Sequence, residues 1–179
     1  MKLHLDRLIL RIFKETDIND FYDYMSLEST AKYECFEPYS YEKCQEKIEK
    51  FKDDDTYLAI ELISESKVIG HINYSEEPYG AYEIGFDIHE KYTRQGFATE
   101  ACKKIIEHIF FNLGGRRIIA GVTEGNIASC KLLEKLGFRL EGHFIEDVAF
   151  KKDQHGQPIY VNSYYYALLK SEFEKTNTL

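Results

Sequence analysis

Residues 82–113 read YEIGFDIHEKYTRQGFATEACKKIIEHIFFNL, and the fold turns on this stretch. From Tyr82 to His89 apolar and polar side chains alternate, the period-two pattern of a half-buried strand. After Gly96 the period changes. Ala98, Ala101, Cys102, Ile105, Ile106, Ile109, Phe110 and Leu113 recur at spacings of three and four, which draws one apolar face along a long helix. Gly114 and Gly115 stop that helix, and Arg116 and Arg117 precede a further strand, Ile118 to Thr123, giving a strand, helix, strand crossover unit. Between strand and helix lies the loop Tyr92 to Thr99, with one glycine and no acidic residue until Glu100. The first N–H groups of a helix have no internal partners and sit at its positive end, so such a loop can hold a phosphate or pyrophosphate. Gly96 lets backbone come close to the ligand, and Arg94, with Lys103 or Lys104, supplies charge at the rim. The loop is neither a P-loop nor a dinucleotide fingerprint, because it has a single glycine and no Gly-Lys-Ser/Thr.

Towards the N-terminus, Leu8 to Phe13 reads as a first strand, and Thr16 or Asp17 is placed to cap a helix running towards Leu27. Ser40 caps a second helix to about Phe51, ended by the charges of Asp53 to Asp55. Thr56 to Leu62 and Val68 to Ser75 join Tyr82 to His89 through short polar turns, as expected of an antiparallel meander. Towards the C-terminus, Asn126 opens a shorter helix with an inward stripe of Ser129, Leu132, Leu133 and Leu136 and with Gly137 as its left-handed C-cap. Phe138 to Phe150 and Ile159 to Leu169 then form a hairpin about the turn Lys152 to Pro158. The order predicts one α/β (α+β) domain over residues 1–179, a mixed and mostly antiparallel sheet of about seven strands with about four helices packed on it.

Composition narrows the function classes. A chain of 179 residues with 12 Phe and 14 Tyr has ample material for one globular core. Its net charge of -8 opposes nucleic-acid binding and suits a cationic acceptor, or simply solubility. Cys35, Cys44, Cys102 and Cys130 form no Cys-x-x-Cys pair, and the six histidines show no ligand spacing, so no metal is expected and reduced thiols point to the cytoplasm. No signal-peptide core opens the chain and no apolar run reaches the ~18 residues of a membrane span.

In combination these segments resemble the GNAT superfamily of acetyl-CoA-dependent N-acyltransferases. The superfamily's coenzyme loop has the pattern Gln/Arg-x-x-Gly-x-Gly/Ala. Gly96 and Ala98 match its two small positions, while Thr93 stands where the pattern has Gln or Arg. The likeness extends to Tyr82-Glu83-Ile84-Gly85-Phe86, to Asn126-x-x-Ser129 and to Leu132-Leu133-Glu134-Lys135-Leu136-Gly137-Phe138. Leu8-Ile9-Leu10-Arg11, Leu140-Glu141-Gly142 and a closing strand from Tyr164 to Phe173 look like the Rim-type branch, which includes ribosomal-protein N-terminal acetyltransferases.

The resemblance implies a sheet splayed between its fourth and fifth strands, with a bulge in the strand Glu83 to His89. It implies direct transfer of an acetyl group from acetyl-CoA to a primary amine in a ternary complex, the acceptor being a protein N-terminus or a small molecule. Arg94, Gln95, Gly96, Phe97, Ala98 and Thr99 would hold the pyrophosphate. N–H groups near Phe86 and Ile88 would hold the thioester oxygen and the pantetheine arm, with Asn126 as a further contact. Glu83 matches the general base of several members, acting through water, with Glu146 in reserve. Ser129 would hydrogen-bond the departing thiolate. Many members place a tyrosine on this helix to protonate that thiolate, where this chain has Leu133. Asn126 and Ser129 fit plain helix capping equally well, and Glu83 an ordinary strand carboxylate. The acidic and aromatic run Tyr33 to Tyr39 lies where members shape the acceptor cleft, and packed loop aromatics would read the same way. Thr93 and Leu133 also leave open a non-catalytic acyl-CoA-binding domain. Monomer and homodimer are equally compatible with the sequence.

Overall fold

The computed structural model describes residues 1–177. Its strands are β1 (Lys2–His4), β2 (Leu8–Ile12), β3 (Tyr57–Leu62), β4 (Lys67–Glu77), β5 (Ala81–Ile88), β6 (Arg117–Thr123), β7 (Arg139–Lys152) and β8 (Pro158–Leu169). They form one sheet in the order β1-β2-β3-β4-β5-β6-β8-β7, in which only β5 and β6 run parallel. The α-helices are α1 (Ile18–Met25), α2 (Glu28–Ala31), α3 (Tyr41–Phe51), α4 (Phe97–Glu107), α5 (Ile127–Lys135) and α6 (Lys170–Asn177).

Alternation along the strands assigns the two faces of the sheet. Leu58 and Ile60 of β3 join the core under α4 and α5, whereas Ala59 joins the core under α1 and α3. The α4 stripe behaves as its spacing demands: Ala101, Cys102, Ile105, Ile106, Ile109 and Phe110 are all 0% exposed. They pack on Ile72, Ile84 and Ile118 of the central strands. On the other face Phe21, Tyr24, Met25, Cys44 and Ile48 meet Phe13, Ala59 and Val68. The helices thus clamp the middle of the sheet from both sides, and burial of these apolar side chains holds β4, β5 and β6 in place.

Several sequence expectations need correction. The sheet has eight strands, because Lys2–His4 pairs with Leu8–Ile12 as an edge strand too short and too polar to show an alternation. Short α2 and the closing α6 raise the helix count to six among the described residues, and Phe173 lies in α6 rather than in a final strand. Asp17 stands at the start of α1 without capping it. Its carboxylate instead accepts from Lys14 N–H at 2.8 Å and from the buried Arg11 guanidinium at 2.6 and 2.9 Å. Arg11 also pairs with Glu61 at 2.5 Å, so both carboxylates compensate one buried cation. The long helix leaves α geometry at Glu107 and continues as a π-helical turn, His108–Asn112, before the left-handed Gly114 (φ 74°). On α5 the buried residues are Cys130 and Leu133, with Ser129, Leu132 and Leu136 half-buried around them. Ser40 caps α3 as read, its hydroxyl accepting from Lys43 N–H at 3.2 Å.

Candidate functional site

Strand β5 runs between two unlike neighbours. It pairs with β4 along its whole length, from Ala81 opposite Glu77 to Ile88 opposite Gly70, with no register shift. With β6 it pairs only over Ala81 to Glu83, and beyond Glu83 the two strands part. The expected splay is therefore present, but the expected bulge is not. β6 keeps full pairing with β8 over Arg117 to Thr123, so the opening separates two intact half-sheets. His89 N–H donates to the Ile69 carbonyl at 2.8 Å, and this sets the phase of the antiparallel ladder. Odd-numbered residues of β5 bond to β4, and beyond the last pair with β6 the N–H groups of Phe86 and Ile88 face the gap. A strand edge of this kind can hold a carbonyl oxygen or pair with an extended chain carrying amides.

The loop before α4 lies next to this gap in sequence and is held firmly. Gly96 is the N-cap of α4, with φ of 87°, and the first intrahelical bond runs from Glu100 N–H to the Gly96 carbonyl at 3.0 Å. The N–H groups of Phe97, Ala98 and Thr99 precede that bond and have no intrahelical acceptor. Thr93 N–H and its hydroxyl both bond the Glu90 carbonyl, at 3.2 and 2.8 Å, and the Gln95 amide bonds the Lys91 carbonyl at 3.0 Å. Arg7 reaches across from the start of β2. It donates to the Gln95 carbonyl at 3.0 Å, pairs with Glu100 at 2.8 Å and lies 4.4 Å above the Phe97 ring. Thr93 and Gln95 thus brace the loop through its own backbone, while Arg7 and the exposed Arg94 carry its positive charge.

On the α1 and α3 face of the sheet the gap widens into a cleft of about 330 Å³. Its walls include Tyr57, His71, Asn73, Gly85 and Asp87 from one half-sheet and Gly121, Thr123, Ser163 and Tyr165 from the other. Asn126, Ser129 and Leu133 close one end, and Tyr33, Glu34, Cys35 and Phe36 form the roof. The roof is tied down at both ends. The Thr123 hydroxyl donates to the Tyr33 carbonyl at 2.8 Å, and Tyr39 N–H donates to the Met25 carbonyl at 2.9 Å.

The cleft concentrates perturbed carboxyl groups. Asp87 is raised to about 7, first by burial and then by Glu34, and burial raises Glu34 itself. Glu83, two pleats along the same face of β5, is raised by burial and then by Glu77. Opposite Asp87 on β4, His71 is 3% exposed, and burial lowers it to about 3, so its imidazole is neutral. Its Nε2 lies 3.3 Å from the Asp87 carboxyl and 2.6 Å from the Tyr57 hydroxyl, while Nδ1 lies 3.0 Å from the Tyr24 hydroxyl.

The sequence-chosen residues gather unevenly. Phe86 lines the cleft and Ile88 stands on the open edge of β5, while Arg94 to Thr99 form the loop and first turn of α4. Asn126 and Ser129 border the cleft, with the Asn126 side-chain Oδ1 accepting from Ser129 N–H at 3.3 Å in a normal N-cap. Glu83 is half-buried on the same face of β5 as Asp87, with its carboxylate towards Gly121, and is not among the residues lining the cleft. Glu146 is exposed on a left-handed kink of β7 (φ 51°) and is not among the residues lining the cleft. Asp87, His71, Tyr57, Tyr165 and Arg7 escaped the sequence reading. Strand alternation alone places Asp87 on the same face as Glu83, which was the available signal; the partners come from distant segments.

The family model for the acetyltransferase (GNAT) domain matches residues 7–139. The uncharacterized N-acetyltransferase YnaD of Bacillus subtilis (strain 168) is 30% identical over 176 residues, covering 97% of this chain and 99% of that protein. A GNAT-family acetyltransferase structure from Bacillus anthracis superposes with a TM-score of 0.87 at 29% identity, over 96% of this chain and 100% of that one. The spermidine N-acetyltransferase of Vibrio cholerae, solved in complex with CoA and spermine, shares the fold with a TM-score of 0.77 at 21% identity, over 95% of this chain and 99% of that one.

Proposed function

Because the chain belongs to the GNAT acetyltransferase family, we propose that it transfers an acetyl group from acetyl-CoA directly to a primary amine, with both substrates bound together. The observation that carries this reading is the parting of β5 and β6 beside an uncapped helix start. One anchor site for a pyrophosphate and one row of edge donors for an acylated arm lie in series. In this reading the N–H groups of Phe97, Ala98 and Thr99 hold the pyrophosphate, with Arg94, Gln95 and Gly96 shaping the approach. The N–H groups of Phe86 and Ile88 hold the pantetheine arm and polarise the thioester oxygen, which stabilises the oxyanion as the amine attacks. Asn126 shapes the end of the cleft, and the Ser129 hydroxyl stands by the departing thiolate. The amine proton leaves to a carboxylate, and Glu83, acting through water, is the one that the family resemblance marks.

The acceptor enters beneath the Tyr33–Phe36 roof, where the carboxyl groups favour a cation. Protein N-termini, as for the Rim-type branch, and small amines both meet that requirement. Four unpaired cysteines suit a cytoplasmic enzyme.

The test is thiol release from acetyl-CoA across ribosomal N-terminal peptides, polyamines, aminoglycosides and amino acids, with Glu83→Gln and Ser129→Ala in parallel. Amine-dependent release, reduced in both variants, is expected. Coenzyme binding with no release for any amine would instead indicate a binding domain.

A further inference from the structure

We infer that Asp87 is a catalytic residue of this reaction: its carboxylate takes the proton from the acceptor's ammonium group before the amine attacks the thioester. This rests on the acetyl transfer proposed above. The geometric ground is distance along β5. With a rise of about 3.4 Å per residue, Glu83 lies about 10 Å before Phe86, so it reaches an amine at the Phe86 and Ile88 edge only through water. Asp87 stands between those two residues, and its side chain lines the cleft under the roof by which the acceptor enters.

The step balances simply. The Asp87 carboxylate accepts one proton from R–NH3+, leaving the neutral amine. Its nitrogen lone pair forms the C–N bond, and the C–S bond breaks with its electron pair going to sulfur. The thiolate takes the proton shed by the new amide nitrogen, and Asp87 returns its own proton to solvent. Raising the carboxyl from 3.8 to about 7 improves proton transfer from an alkylammonium by roughly 1000-fold over an ordinary aspartate.

His71 makes the cycle workable in a buried place. With its proton on Nε2, the imidazole presents a donor to the Tyr57 hydroxyl at 2.6 Å, with the Asp87 carboxyl 3.3 Å away, and accepts from the Tyr24 hydroxyl at Nδ1. With its proton on Nδ1, it donates to Tyr24 and accepts at Nε2 from the Tyr57 hydroxyl or from protonated Asp87. Both charge states of Asp87 therefore find a matched partner without reorganising the core. The charged and titratable groups packed around this network are Glu34 and Cys35 from the roof, Tyr39 just after it, Tyr24 from α1, Cys44 and Lys47 from α3, Tyr57 from β3, His71 from β4 and, across the cleft, Tyr165 from β8. Glu34 is the one carboxylate whose field falls directly on Asp87.

The experiment compares wild type, Asp87→Asn, Asp87→Glu and Glu83→Gln between about pH 5 and 9, with two acceptors of similar shape. One is an aliphatic amine; the other is a hydrazide or aromatic amine already neutral in that range. Coenzyme-induced thermal shifts establish that each variant keeps its site. For wild type and the aliphatic amine, activity should rise with pH through about 7 and then level. Asp87→Asn should lower that rate at pH 7 by roughly 100-fold or more and replace the levelling near 7 by a rise that continues to pH 9 with the neutral-amine fraction, yet cost the neutral acceptor less than about 10-fold. Asp87→Glu should keep a levelling at a displaced pH. Equal losses with both acceptors, a levelling near pH 7 that survives in Asp87→Asn, or one removed by Glu83→Gln alone would overturn the assignment. Silence of the wild type with every amine would instead refute the acetyl transfer on which it rests.

Discussion

Asp87→Asn is expected to stabilise the folded protein, and to do so only above mildly acidic pH. In the folded chain burial holds the Asp87 carboxyl near 7, against 3.8 for a solvated aspartate. A group raised in this way favours folding while it is protonated. Its ionisation then withdraws stability progressively as pH climbs from about 4 to about 7, after which the penalty is constant. Three units correspond to about 4 kcal/mol, and because the Asp87 side chain is 20% exposed, about 3 kcal/mol is the better figure. Asparagine has nearly the same shape, can still bond His71, and never charges. Wild type and variant should therefore have similar stability near pH 4, with the variant melting on the order of 10 °C higher at pH 8. Denaturant or calorimetric unfolding of both proteins at several pH values measures the gap. A gap that does not change between pH 4 and 8 would refute a carboxyl titrating near neutrality in the cleft, whatever the enzyme assays show.

Arg7→Ala should weaken coenzyme A binding by roughly 10-fold, since it removes a cation beside the α4 N-terminus and frees the loop from Gln95 and Glu100. Arg7→Lys should recover only part of the affinity, because lysine cannot make the forked contacts; isothermal titration distinguishes the two. Asn126→Ala should cost about 1 kcal/mol of stability through loss of the α5 cap, whereas Asn126→Asp should keep most of it. Thermal unfolding separates them, and equal stability of all three forms would mean that the bond to Ser129 N–H contributes nothing.

How far the sequence reaches depends on whether a feature is local. The period change at Gly96, the left-handed glycine at 137 and the caps at Ser40 and Asn126 are properties of a few consecutive residues, so they were legible and they recur in the structure. The same holds for the meander and for the crossover to Ile118, whereas the splay was implied by the family resemblance rather than by local pattern. Lys2–His4 and α2 were not legible, since each is three or four residues long and exists by pairing or packing against something remote. The carboxyl chemistry belongs to that second kind. In the sequence Asp87 is one more polar residue on an alternating strand, and His71 one of six histidines. Only the fold brings Tyr24 from a helix, Tyr57 and His71 from adjacent strands and Glu34 from a loop around a single carboxylate, out of water. Strand and helix periods are written in neighbouring residues, whereas desolvation and proton affinity arise from the whole set of segments that close over a site.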